Sequence, residues 1–153
     1  MVELSTIAIV TNDRDTLEDD SWGGVVSEIT LVGDLSADLL KGLDTFSHVE
    51  ILFYFHLLPE GRTDPPTRSP RNNPKWPELG LLAQRSAHHP NPLGMTTVRL
   101  LQVSERTITV QGLDAANGTP VLDIKPVFKE FLPEDTTQPE WVSELMRNYW
   151  SKS

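Results

Sequence analysis

The sequence predicts a mainly β domain, an antiparallel or mixed β-barrel-like body with one short helix and a C-terminal helix. Three observations carry that expectation. Strand-like segments outnumber helical ones, and they do not alternate with helices as a doubly wound sheet requires. The most regular of them, "HVEILFYFHLL" (48–58), keeps a two-residue apolar period. A chain of 153 residues suits a single domain over 1–153, with a core in about 5–130 and a C-terminal helix in about 139–150.

Taken in order, "STIAIVTN" (5–12) reads as a first strand and is followed by the acidic loop "DRDTLEDDS". "WGGVVSEITLV" (22–32) alternates as a second strand and is opened by two glycines. "SADLLKGLDTFS" (36–47) pairs a Ser36 N-cap with an apolar pattern that suits a short helix, and Gly42 lies near its end. In 48–58, Val49, Ile51, Phe53, Phe55 and Leu57 share one face, the core face, while the other presents Tyr54 and His56 to a pocket or an interface. Residues 59–78 form a proline-rich connection long enough to be functional, and Arg62, Arg68, Arg71 and Lys75 make it the most basic region. "LGLLAQ" (79–84), "MTTVRLLQV" (95–103), "TITVQGL" (107–113) and "TPVLDIKPV" (119–127) are further strand candidates. "PEWVSELMRNYW" (139–150) reads as a helix begun by Pro139, with Trp141, Leu145, Met146, Tyr149 and Trp150 docking on the body.

Composition narrows the function. The chain has 13 basic and 22 acidic residues, a net charge of −9, and so lacks the basic signature with which nucleic-acid binders advertise themselves. It has no cysteine, which removes disulfides and thiolate metal sites. The longest strongly apolar run, 49–58, is too short to span a bilayer, and the N-terminus "MVELSTIAIV" carries an acid where a signal peptide has positive charge. A cytoplasmic protein without a membrane anchor is expected.

Common catalytic signatures are missing: there is no GxGxxG, Walker loop, HExxH or GxSxG. His88 and His89 are adjacent, so they point apart and suit an exposed pair better than a metal site; no metal is expected. In "LDAANGTPVLDIKP" (113–126), Asn117-Gly118 signals either a plain hairpin turn or a loop presenting Asp114, Asn117, Thr119 and free backbone amides to a polar ligand. Asp123 and Lys125 share a strand face as a charge pair. "QRSAHHPNPLG" (84–94) is rigid and rich in donors, and Arg85 at its start is either a surface charge or a grip for a carboxylate.

Four segments occur in order: "LKGLDTFSHVEILFYFH", "RSPRNNP", "GLLAQRSAHHPNPLGMTTVRLL" and "GLDAANGTPVLDIKP". Together they resemble the TsaA-like family of S-adenosylmethionine-dependent methyltransferases, over roughly residues 5–130. Its best-described members methylate N6 of threonylcarbamoyl-adenosine beside the anticodon of certain tRNAs. The C-terminal "QPEWVSELMRNYW" resembles the short, single-domain branch, without the additional domain of longer members.

The resemblance implies a β-barrel homodimer that binds S-adenosyl-L-methionine through its loops, with tRNA as a possible partner. Carried onto this chain, it implies donor contacts from Trp22, Gly23 and Gly24 before the second strand, and from His56 and Leu57 at a strand end. Further contacts fall on Arg85, which would pair with the donor's carboxylate, on Met95, and on the turn Ala115, Ala116, Asn117, Gly118 and Thr119. His56 and Asp114 are the candidate catalytic acceptors of the substrate proton. The chain departs from the family pattern at "DDSWGG", at His89 in place of an arginine, and at Asn117 in place of an acid. His89 and Asn117 leave the alternative of a non-catalytic S-adenosylmethionine-binding module, and the net charge of −9 with the missing additional domain leaves a methyltransferase of a small molecule.

Overall fold

The computed structural model describes residues 1–153. Its strands are β1 (Ala8–Thr11), β2 (Val26–Leu31), β3 (His48–Tyr54), β4 (Thr67–Arg68), β5 (Leu79–Gly80), β6 (Leu93–Ser104), β7 (Thr107–Gln111) and β8 (Pro120–Pro126). One α-helix follows, α1 (Glu140–Leu145). Six strands close into a barrel in the order β1-β2-β7-β6-β3-β8, and every pairing is antiparallel. Closure leaves no free edge in the main sheet. The small β4–β5 ladder stands outside it.

The interior follows the two-residue period. Val49, Ile51 and Phe53 of β3 are buried, as are Ala8 and Val10 of β1, Ile29 and Leu31 of β2, and Ile108 and Val110 of β7. The core face expected for 48–58 therefore holds, but the strand stops at Tyr54. Its neighbour β6 begins at Leu93, just after Pro90 and Pro92, which have no N–H to continue a ladder. Leu57 consequently lies beyond the strand and is exposed.

Other expectations change in structure. Residues 36–47 form two 3₁₀ turns, Ala37–Leu40 and Leu43–Thr45, rather than one helix. Ser36 does cap the first, accepting from the Asp38 amide at 3.1 Å. Gly42 then takes a left-handed conformation (φ 87°) that breaks helical continuity. Within 79–84 only Leu79–Gly80 is strand, and Leu81–Ala83 is a 3₁₀ turn. Its partner β4 lies between Pro66 and Pro70, so the ladder cannot lengthen. The C-terminal helix is regular only over Glu140–Leu145 and continues as turns to Trp150.

The plain-hairpin reading of Asn117-Gly118 is overturned by the strand order. β7 lies between β2 and β6, whereas β8 lies between β3 and β1, so residues 112–119 cross the end of the barrel. Asp123 and Lys125 do form their charge pair, at 3.0 Å.

Candidate functional site

A cavity of about 900 Å³ opens where the loop 84–94 enters β6. The acidic loop before β2, residue Asp114 and the C-terminal segment 141–150 complete its walls. Of the candidate site residues, Trp22, Arg85, Met95 and Asp114 line it. A second group, His56 and the crossing loop 115–119, meets beside it: His56 Nε2 lies 3.6 Å from where a Cβ on Gly118 would stand. Asp114 joins the two groups, because it immediately precedes Ala115 in the crossing loop.

The loop "QRSAHHPNPLG" is held at several points. The buried Gln84 amide donates to the carbonyls of Arg68 (2.9 Å) and Leu79 (3.2 Å). His89 Nε2 donates to the Gln84 carbonyl at 2.7 Å, and Arg62 donates to the His89 carbonyl at 2.8 Å. His88 Nδ1 donates to Asp64 at 3.1 Å, and Arg62 pairs with the same carboxylate at 3.0 Å. The histidines do point apart, but they are half-buried braces of the loop rather than an exposed pair. No group of three or more His, Asp or Glu residues converges to hold a metal ion. Arg85 stays exposed and donates one N–H to the Met95 carbonyl at 2.6 Å, leaving the rest of its donor fork free. Ser86 lines the cavity, with its Oγ buried and without a partner.

At the loop's end, Gly94 opposes Phe53 across β3 and β6. A Cβ there would overlap the Phe53 ring, so glycine lets the ring lie flat across the strand.

Asp114 has a donor on each carboxylate oxygen. Thr96 Oγ1 donates to Oδ1 at 2.6 Å, and the Tyr149 hydroxyl donates to Oδ2. Burial above all, and then the Asp114 charge and hydrogen bond, push the Tyr149 phenol well above its usual range; Arg71 and Arg85 pull weakly the other way. Tyr149 is thus a protonated donor throughout the working pH range.

The crossing loop is tied to the end of β1. The Asn12 amide group donates to Ser27 Oγ and to the Ala115 carbonyl, each at 2.9 Å. Asn117 Oδ1 accepts from the Asn12 backbone at 3.1 Å. The loop amides are only partly free: Asn117, Gly118 and Thr119 donate within the chain, whereas those of Asp114, Ala115 and Ala116 make no backbone hydrogen bond. Ala115, Ala116 and Thr119 are buried, and burial holds the neighbouring His56 below the usual histidine range.

Trp22 is 1% exposed, its ring covered by the Arg14 guanidinium at 4.1 Å and its Nε1 bonded to the Glu18 carbonyl. It therefore forms a wall of the cavity, not an open stacking face. Gly23 and Gly24 lie beneath the C-terminal chain. A Cβ on Gly23 would overlap the Trp150 carbonyl, and one on Gly24 would lie 3.1 Å from that of Lys152.

Comparison with known proteins decides the family. The model of the tRNA-methyltransferase O N-terminal domain matches residues 20–131. The chain belongs to this family.

Among its curated relatives, the tRNA (adenine(37)-N6)-methyltransferase of Escherichia coli (strain K12) is 42% identical over 104 residues. That match covers 64% of this chain and 44% of the relative. A probable S-adenosyl-L-methionine-binding protein of Archaeoglobus fulgidus is 40% identical over 89 residues, covering 58% of this chain and 23% of the relative. The chain thus spans less than half of either. The crystal structure of TrmO from Pseudomonas aeruginosa superposes with a TM-score of 0.70 at 25% identity, covering 90% of this chain and 61% of that one. The mainly β barrel is shared with it.

Three residues of this family member's site escaped sequence reasoning. Asn12 sits at a strand end with no motif around it, and Thr96 is one of many strand threonines. Tyr149 was legible only as an apolar docking residue. A signal existed for Tyr149 alone: it is one of two tyrosines, on a helical face where a phenol needs a partner once buried.

Proposed function

We propose that this chain is an S-adenosylmethionine-dependent methyltransferase that modifies N6 of threonylcarbamoyl-adenosine in the anticodon loop of tRNA. The observation that carries this reading is the convergence of the candidate site residues Arg85, Met95 and Asp114, all within the family-matched span, on one cavity of about 900 Å³. Curated relatives named as tRNA (adenine(37)-N6)-methyltransferases and as an S-adenosyl-L-methionine-binding protein support it.

The residues present fit the donor. The cavity has a volume suited to a molecule of that size, apolar walls from Phe53, Phe55 and Met95, and an exposed guanidinium at Arg85 for a carboxylate. Asp114, also in the lining, supplies a further polar group. Leu57 and the Asn117–Thr119 turn would approach from the barrel end, with Trp22 in the wall and Gly23 and Gly24 seating the C-terminal segment that lines the cavity. When bound, S-adenosylmethionine supplies a methyl group on a positively charged sulfur.

The chain's task is then alignment and proton removal. A new bond from N6 to the methyl carbon forms as the sulfur–carbon bond breaks, and the N6 proton must leave. Asp114, fixed by Thr96 and Tyr149, accepts that proton. His56 is the alternative acceptor, and its lowered pKa leaves it neutral and able to take a proton at pH 7. Arg68 lines the cavity beside Arg85 as a second cation for a substrate phosphate, whereas Arg71, also in the lining, is already paired with Asp20 at 3.1 Å.

We further propose a homodimer working in the cytoplasm. The outer face of β3 and β6 supports the first part, since Tyr54 and Met95 are 42% and 51% exposed there. No helix is long and apolar enough to cross a membrane.

Calorimetry with S-adenosylmethionine and turnover of labelled donor on a tRNA pool test the reading together. Binding with turnover is expected. Binding without turnover on tRNA would leave the non-catalytic module or a small-molecule methyltransferase, and no binding at millimolar donor would sink all three.

A further inference from the structure

We propose that Tyr149 is a positioning residue for methyl transfer: its hydroxyl holds Asp114 in the cavity, so that the C-terminal segment completes the site in cis. The proposal rests on the reading of Asp114 as proton acceptor given above. It concerns a residue outside the 20–131 span that the family match covers.

The geometry begins with the carboxylate. Asp114 sits in the crossing loop, which leaves its side chain free to rotate unless other elements restrain it. Thr96 on β6 restrains one oxygen at 2.6 Å, and Tyr149 restrains the other from 35 residues away. Two donors on two oxygens define both the position and the plane of the group. With Tyr149 absent, the Thr96 bond alone still permits rotation about its axis.

Tyr149 is itself fixed by backbone contacts. The Ser21 amide donates to the Asn148 carbonyl at 3.0 Å and the Trp22 amide to the Tyr149 carbonyl at 2.9 Å. Glu144 pairs with Lys75 at 2.7 Å, and the Tyr149 ring meets Trp150 edge to face at 4.7 Å. Gly23 permits the approach, because any side chain there would overlap the Trp150 carbonyl. This accounts for the glycine pair that opens β2: it seats the C-terminal segment. Tyr149, half-buried and protonated, has no proton-accepting role of its own. Its contribution is to orient Asp114.

Tyr149→Phe removes the hydroxyl and keeps the ring. The expected result is a kcat at least tenfold lower, with donor Kd and tRNA KM within twofold of the parent. Asp114→Asn should fall at least as far, and the double variant no further than Asp114→Asn alone. Gly23→Ala, which displaces the segment while leaving the barrel strands untouched, should lower kcat in the same way. Unchanged kcat in Tyr149→Phe, or additive losses in the double variant, overturns the proposal.

Absorbance titration separates the proposal from the functional reading. Only Tyr54 and Tyr149 titrate as tyrosines in this chain. The Tyr149 contribution, identified as the part lost in Tyr149→Phe, should ionise above the ordinary tyrosine range in the parent and at lower pH in Asp114→Asn. If the parent chain turns over no tRNA, the functional reading fails and the titration alone judges the pairing. A Tyr149 titration unchanged by Asp114→Asn would then overturn it.

Discussion

Arg85 and Met95, ten residues apart, are joined by a 2.6 Å hydrogen bond from the guanidinium to the Met95 carbonyl across the mouth of the cavity. The bond consumes one of five N–H donors and aims the others. It also anchors the loop "QRSAHHPNPLG" to the start of β6, so positioning and ligand binding fall to the same side chain.

Arg85→Ala is therefore expected to weaken S-adenosylmethionine at least tenfold by calorimetry. Arg85→Lys should recover less than half of that loss in free energy, because an ammonium cannot hold the carbonyl and present a planar fork at once. Full recovery by lysine would show that charge alone matters.

Asn12 and Asn117 allow the crossing loop to be tested apart from the cavity. Asn12→Ala removes three side-chain hydrogen bonds, to Ser27, Ala115 and the Arg14 amide, and leaves the fully buried Ser27 hydroxyl without its partner. It should cost about 1–3 kcal/mol in urea unfolding. Asn117→Ala, at an exposed position, should cost about 1 kcal/mol or less. The reverse order would mean that Asn117, not Asn12, secures the loop.

Phe53 and Gly94 make a packing prediction. Gly94→Ala places a methyl against the Phe53 ring inside the barrel, where it should cost about 1–3 kcal/mol by overpacking. Phe53→Ala opens a cavity at the same point and should cost about 3–5 kcal/mol. Combined, the two should be less destabilising than their sum, because the methyl occupies space the ring has left.

His56 supplies a pH dependence whose sign is set by burial. Burial depresses its pKa below the ordinary 6.5, so the unfolded chain takes up a proton near that pH while the folded chain does not. The stabilising difference is complete above about pH 6.5 and is lost as pH falls below it. Thermal unfolding between pH 7 and 5 should show a smaller fall in Tm for His56→Asn than for the parent. Parallel profiles would remove His56 as the source.

Legibility in the sequence differs from one segment to another. The buried face of β3 could be read directly, because alternating side chains report a strand's faces without knowledge of its partners. The Ser36 cap and the Asp123–Lys125 pair were readable for the same reason, each being settled within a few residues. Residues 79–84 misled because their apolar character serves a buried 3₁₀ turn at Leu81, not a ladder. The histidine pair gave no sign of Asp64 and Gln84, its partners in space. At Trp22, a donor contact is implied by position alone, and only Arg14 packing on the ring shows that its face is covered.

By itself, then, the sequence determined the strand faces, the mainly β class, the net acidity and, through four ordered segments, the family resemblance. Tertiary structure alone decided that β7 and β8 lie apart in a closed barrel, making 112–119 a crossing loop and not a hairpin. It alone brought Tyr149 to Asp114 and laid Trp150 over Gly23. Side-chain period and local caps are fixed by neighbours along the chain. Strand order depends on which distant backbone groups pair when the sheet closes, and Asp114 meets its two donors only after that closure and the docking of the C-terminal segment.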